Sequence, residues 1–141
     1  EVRKLQSALP DRVHFEEVLD SGLARHIYAG ADLLLVPSRD ESWGPNQMIA
    51  MRYGCLPVAR AIGGLNDTVT DATGFRFKTA TEKSLHTALL KGLATYADRD
   101  RWLAQQQNAM REDFSWSATS RRYLALYGQL MDEDGVRRQP E

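Results

Sequence analysis

Two short apolar runs, at residues 33–36 and 56–59, constrain the fold of this chain more than any other feature of its sequence. Between them lie a polar loop and a helical pattern, which Pro45 opens and Gly54 closes. Short apolar strands that alternate with helices predict β-α-β units and a parallel sheet with right-handed crossovers. The unbroken apolar run at 33–36 is typical of a strand covered on both faces. We therefore predict an α/β fold.

Weaker patterns supply the remaining elements. Strand-like patterns lie at 74–77 and, as a candidate fourth strand, at 13–15. Gly63 and Gly64 predict a turn, after which Asn66 and Asp67 would cap a short helix. Further helices are expected at 2–9, after Asp20, after Thr81, at 98–110 and after Ser115. Three or four strands are too few for a complete doubly wound sheet and fit half of one. Residues 1–131 are expected to form this partial domain, and residues 132–141 a polar tail.

Composition excludes several classes of function. The chain has 141 residues and a formal net charge of −1, which gives no sign of nucleic-acid binding. Its apolar runs are too short to span a bilayer, so no membrane partner is expected. The single cysteine, Cys55, excludes an internal disulfide and is expected to be buried and inert. His14, His26 and His86 lack metal-ligand spacing. Because the chain lacks an initiator Met, we expect it to be a piece of a longer protein.

The polar loop after the first apolar run carries the candidate chemistry. In open parallel sheets, ligands bind at the carboxyl ends of the strands, where this loop lies. The free amides of the helix that starts at Pro45 predict a phosphate site, and Gly44 permits close backbone approach. Glu41, three residues before Gly44, could accept hydrogen bonds from sugar hydroxyls. A phosphate site beside a carboxylate fits a nucleotide-sugar, although Glu41 could also be an ordinary solvated loop residue.

A second loop follows the next strand and lies on the same edge of the sheet. Its Gly63 and Gly64 could direct backbone amides toward the same ligand, or could simply form a turn. Arg39 and Arg60 lie near these two loops, and we expect structural roles for both.

The pattern of these residues resembles the bacterial glycogen synthase and plant starch synthase family. The similarity extends over about residues 13–130. Its motifs are residues 31–39, Glu41, Gly44, residues 46–48, 50–54, 56–58, 63–65, 67–69, 73–77, 108–110 and 113–116.

The resemblance implies part of the C-terminal, Rossmann-like donor-binding domain of a GT-B fold. It implies a retaining, metal-independent transfer of glucose from ADP-glucose, or UDP-glucose, to an α-1,4-glucan, without a cofactor. By position, Glu41 matches the catalytic glutamate that holds the donor glucose. The substrate-binding positions implied are Leu19 and Asp20 at the adenine, Trp43 and Gly44 at the sugar and phosphate, and Pro45, Asn46 and Gln47 under the diphosphate, with Gly63 and Gly64 nearby. A cytoplasmic location follows, or a plastid location for a plant protein.

Some positions depart from the family pattern. Trp43 replaces a small cysteine beside the donor sugar, and Asp40 replaces an aromatic residue. These two departures leave open a retaining glycosyltransferase with another donor. The missing catalytic half leaves open a nucleotide-binding or interaction module without catalysis. The glucan acceptor would bind through a domain that these residues do not include. The last helix resembles the one that crosses back to that domain. Trp102, Trp116, Tyr123 and Tyr127 have helical spacing and are most simply core residues. The alternative, that some of them are exposed where the missing domain would pack, predicts an apolar patch and self-association.

Overall fold

The computed structural model describes residues 1–18 and 20–137 and confirms the α/β class. The elements, in chain order, are α1 (Val2–Ala8), α2 (Ser21–Gly30), β1 (Leu33–Val36), α3 (Asn46–Arg52), β2 (Leu56–Arg60), α4 (Gly63–Thr68), β3 (Phe75–Phe77), α5 (Glu82–Ala97), α6 (Arg99–Arg111) and α7 (Trp116–Arg137).

The three strands form a parallel sheet in the order β1-β2-β3. Leu33 is paired with Leu56 and Val36 with Ala59, so the carboxyl ends of β1 and β2 lie at one edge of the sheet. The central strand β2 is buried from residue 56 to 59. The prediction that β1 is covered on both faces is wrong, since Leu35 is 46% exposed. Within the described residues, β1 is an edge strand that pairs on one side alone.

The two faces of β2 enter two different apolar clusters. Leu56 and Val58, two residues apart, point into the larger cluster with Phe75, Met51 and Trp102. On the opposite face, Ala59 joins the smaller cluster with Leu65 and Val69. Helices α3, α5 and α6 all contact β2, and α4 contacts it as well. Burial of each large apolar side chain in these clusters contributes about 1.5–3 kcal/mol to the free energy of folding.

Side-chain caps account for the helix starts that the sequence predicts. Asp20 Oδ1 accepts hydrogen bonds from the amides of Gly22 at 2.7 Å and Leu23 at 3.1 Å. Similar caps occur at the other predicted positions, where Thr81, Asp98 and Ser115 accept from amides three residues ahead. Gly54, with φ of +79°, follows Tyr53, the C-cap residue of α3, and so occupies the predicted C′ position.

Two local predictions are wrong. Residues 13–15 form no strand, because the Val13 amide donates to the carbonyl of Leu9 in the turn that ends α1. Gly63 and Gly64 do not form a separate turn but begin helix α4, whose N-cap is Ile62. Asn66 and Asp67 therefore lie inside α4 and do not cap it.

Helix α7 continues to Arg137 and exposes much of its apolar side. Trp116 is 82% exposed and Leu124 is 68% exposed, and Tyr123, Tyr127 and Leu130 are exposed as well. The predicted apolar patch is therefore present on the described part of the chain. No helix among the described residues combines the length and the hydropathy that a membrane crossing needs.

Candidate functional site

The two predicted loops meet at the carboxyl edge of the sheet. The first leaves β1 after Val36 and reaches α3, and the second leaves β2 after Arg60 and enters α4. They are joined by a hydrogen bond of 3.3 Å, in which the amide of Gly64 donates to the carbonyl oxygen of Glu41. The structure therefore brings Glu41, Gly63 and Gly64 together, as strand order and loop position predict.

Gly63 is required by this contact between the loops. Its φ is +44°, in the left-handed region that residues with a side chain rarely adopt. A Cβ atom there would overlap the carbonyl oxygen of Glu41 and come within 3.0 Å of its carbonyl carbon. The two backbones can approach closely because Gly63 carries no side chain.

The Glu41 side chain is half-buried and lies over Gly44. A Cβ atom on Gly44 would be 3.0 Å from Glu41 Oε1 and 3.4 Å from Oε2. Ser38 Oγ donates a hydrogen bond of 3.3 Å to Glu41 Oε2. One such bond leaves most of the acceptor capacity of the carboxylate free for a ligand.

Helix α3 starts at Asn46, five residues after Glu41. Pro45 is the N-cap residue and makes no side-chain cap bond, so the first amides of α3 have no acceptor from the cap. Asn46 is exposed, whereas the Gln47 side chain is buried. Gln47 Nε2 donates to Thr68 Oγ1 at 3.0 Å, so only the backbone of Gln47 remains for a ligand.

Arg60 has the structural role that we expected. Its guanidinium donates to the carbonyl oxygens of Arg39 at 2.6 Å and Ser38 at 3.4 Å, both in the Glu41 loop. It also donates to the carbonyl oxygen of Lys78, just beyond β3, at 3.3 Å. The charged end of Arg60 is thus occupied by backbone oxygens of two segments.

Trp43 is 73% exposed beside this site. It borders a groove of about 490 Å³, whose opposite side is formed by the segment before α7 and by the first turns of α7, including Phe114, Trp116 and Arg122. The sequence did not indicate this groove, because it depends on where α7 lies.

The remaining predicted positions lie elsewhere. Asp20 is at the start of α2, where its carboxylate is used as the helix cap, and Leu19 lies outside the described residues.

Cys55 is buried, and burial together with the nearby Asp32 carboxylate raises the pKa of its thiol to about 11. Within the part of the chain that the structure describes, no three His, Cys, Asp or Glu side chains are grouped so as to hold a metal ion.

Comparisons with known proteins agree on one family. Residues 2–109 match the family described as "Glycosyl transferases group 1". The chain is 44% identical over 133 residues to a glycogen synthase of Thermodesulfovibrio yellowstonii, covering 94% of the chain and 27% of that protein. It is 48% identical over 120 residues to a glycogen synthase of Deinococcus deserti, covering 85% and 27%. The chain thus spans about a quarter of the length of these curated relatives.

Two solved structures are similar. One is the catalytic domain of starch synthase IV from Arabidopsis thaliana bound to ADP and acarbose, with a TM-score of 0.79 and 35% identity. That match covers 90% of this chain and 28% of the other. The second is a sucrose-phosphate synthase from Thermosynechococcus elongatus, with a TM-score of 0.68 and 28% identity over 94% of this chain and 34% of that one.

Proposed function

Because the chain belongs to the family of group 1 glycosyl transferases, we propose that it is the donor-binding part of a retaining glucosyltransferase. Its glycogen synthase relatives and its likeness to a starch synthase support glucose as the transferred sugar and an α-glucan as the acceptor. Residues 1–131 would belong to the C-terminal domain of a GT-B enzyme, with 132–141 as a tail. The chain alone would be inactive, because the first domain, which would bind the glucan acceptor, lies outside it.

One observation carries this proposal. A half-buried carboxylate, Glu41, lies five residues before the uncapped start of α3, on a loop that is bonded to the start of α4 at the same sheet edge. The amides of Asn46 and Gln47 would bind the diphosphate, and Glu41 would accept hydrogen bonds from the glucose hydroxyls. These two kinds of group, five residues apart in the chain, match the two ends of a nucleotide-sugar donor.

Glu41 would orient the donor sugar and would not act as a nucleophile. In this account the acceptor hydroxyl attacks the anomeric carbon from the face that the nucleoside diphosphate leaves, so the configuration is retained. Negative charge then develops on the departing diphosphate, and the α3 amides stabilise it as preorganised donors. Basic residues outside this chain would neutralise the rest, since Arg60 is bonded to backbone carbonyls.

ADP-glucose is the donor that we propose, with UDP-glucose as the alternative. The starch synthase structure named above is bound to ADP, and the relatives are named glycogen synthases. We place the enzyme in the cytoplasm, or in the plastid for a plant protein.

The similarity to a sucrose-phosphate synthase, together with the exposed Trp43 beside the site, favours a second candidate: a retaining glycosyltransferase with another donor or acceptor.

The test is glucose transfer by the longer protein that carries this chain. Labelled ADP-glucose and UDP-glucose are offered with a maltooligosaccharide, and incorporation of label is measured. We expect faster transfer from ADP-glucose, and a loss on the order of 10²-fold or more in turnover for Glu41→Gln. Glu82→Gln, an exposed carboxylate at the start of α5, is the control. If Glu41→Gln lost turnover only in proportion to its loss of folded protein, the role of Glu41 would be refuted. If the folded, unmodified longer protein transferred glucose to the maltooligosaccharide from neither donor, the second candidate would be favoured.

A further inference from the structure

The loop that carries Glu41 is held by contacts that its own sequence does not supply. We propose that Arg60 and Gly63 are positioning residues for Glu41. By fixing its carboxylate over Gly44, two residues before α3, they determine how strongly the site prefers a nucleotide-sugar to the free nucleotide. This inference rests on the proposed function, because it assigns the sugar to Glu41.

Arg60 holds the first part of the loop. Its guanidinium reaches the carbonyl oxygens of Ser38 and Arg39 on one side and of Lys78 on the other. It therefore ties the segment just before Glu41 to the end of β3, across the end of β2. An arginine can do this because its planar fork presents several N–H groups in fixed directions, whereas a lysine carries the same charge without that geometry.

The Gly63 backbone holds the centre of the loop. The absence of a side chain there lets the start of α4 approach the Glu41 carbonyl, which accepts the Gly64 amide at 3.3 Å. Glu41 is thus fixed through its own backbone, and Ser38, whose carbonyl Arg60 holds, donates its hydroxyl to the carboxylate.

A further chain of hydrogen bonds fixes α4 against α3. Thr68 Oγ1 donates to the carbonyl oxygen of Gly64 at 2.6 Å and accepts from Gln47 Nε2 at 3.0 Å. The segment from Glu41 to Gln47 is therefore attached to α4 at both ends. Two groups would contact the donor, the Glu41 carboxylate and the α3 amides. Both belong to residues or segments that are hydrogen-bonded to helix α4.

This arrangement predicts a specific effect on binding. The α3 amides belong to a helix packed on β2 and α6 and would keep their place if the loop moved. Binding of ADP would then survive the loss of Arg60, whereas the extra affinity that glucose confers on ADP-glucose would fall. A loss of one hydrogen bond to a charged group corresponds to roughly a tenfold change in affinity.

The experiment compares Arg60→Lys and Arg60→Met with the unmodified chain. Arg76→Met is the matched control, because Arg76 bonds to Asp71 and Asn66 and not to the Glu41 loop. Amide hydrogen exchange at Gly64 and at residues 40–44 reports on the loop without any ligand. Calorimetric titrations with ADP and with ADP-glucose report on the site, and thermal unfolding shows whether each variant is folded.

In both Arg60 variants, we expect the Gly64 amide proton to exchange severalfold faster. We also expect the ratio of the affinity for ADP-glucose to the affinity for ADP to fall roughly tenfold. Their affinity for ADP, and all properties of Arg76→Met, should stay unchanged. An Arg60→Lys variant that behaves like the unmodified chain would overturn the proposal, because charge alone would then be enough. Unchanged exchange in Arg60→Met would overturn it as well. If neither the unmodified chain nor the longer protein that carries it bound either ligand, the donor site itself would be refuted, and the exchange data would separately decide whether Arg60 holds the loop.

Discussion

Replacing Gly63 by alanine is the sharpest perturbation of the candidate site. The left-handed backbone at φ +44° costs a residue with a Cβ atom about 1–2 kcal/mol. The new methyl group would also overlap the Glu41 carbonyl oxygen, and overpacking of this kind costs about 1–3 kcal/mol. We therefore expect Gly63→Ala to lower the free energy of unfolding by about 2–5 kcal/mol, a large share of the ~5–15 kcal/mol typical of a folded domain.

The neighbouring glycine supplies the control for this prediction. A Cβ atom on Gly64 would lie 3.5 Å from both the carbonyl oxygen of Ser42 and the Cα atom of Trp43, an ordinary contact distance. Gly64→Ala should therefore change stability by no more than about 1 kcal/mol. Urea unfolding followed by circular dichroism measures both variants. Equal stabilities for the two alanine variants would refute the close approach of the two loops.

Three further predictions concern the core, the buried thiol and the last helix. Trp102 is 1% exposed and Trp116 is 82% exposed, so Trp102→Ala should cost about 3–5 kcal/mol and Trp116→Ala less than about 0.5 kcal/mol in urea unfolding. The pKa of the Cys55 thiol rises from roughly 8.5 in an unfolded chain to about 11, so the native state holds this proton more tightly. The stability contribution of Cys55 is complete below pH ~8.5 and is lost as the pH rises toward 11. The thermal unfolding temperature of the unmodified chain should therefore fall more steeply with pH in this interval than that of Cys55→Ala. Parallel dependences on pH would contradict the raised pKa of Cys55. The exposed apolar side of α7 should make the chain self-associate at high concentration, and Leu124→Glu should reduce that association in sedimentation velocity, whereas equal sedimentation of the two proteins would contradict it.

The order of helices and strands could be predicted because their ends carry local signals. Four helix starts are capped by side chains that accept from an amide three residues ahead, at Asp20, Thr81, Asp98 and Ser115. Because the cap and its donor are so close in the chain, the local sequence alone predicts these starts. The candidate strand at 13–15 failed because a strand needs a partner, which no local pattern reveals. The predicted turn at Gly63 and Gly64 failed for a related reason. Its glycines are explained by the distant Glu41 carbonyl and not by a turn.

The location of the candidate site followed from strand order, whereas its finer geometry did not. Glu41 and the start of α3 belong to a loop after a parallel strand, so the edge on which they lie is fixed by topology. That Gln47 turns inward to Thr68 and that Arg60 binds carbonyl oxygens depends on contacts between residues about twenty positions apart. The groove beside Trp43 likewise requires the placement of α7.

The central claim is that Glu41 and the start of α3 form the donor site of a glucosyltransferase. The most direct test is a calorimetric titration of this chain with ADP, UDP and ADP-glucose, repeated with Glu41→Ala. The account predicts binding of ADP in preference to UDP, tighter binding of ADP-glucose, and a loss of that extra affinity in Glu41→Ala while ADP binding persists. ADP-glucose that binds equally well to the folded Glu41→Ala variant would contradict it, and so would a longer protein that carries this chain and its missing basic residues but does not bind ADP-glucose.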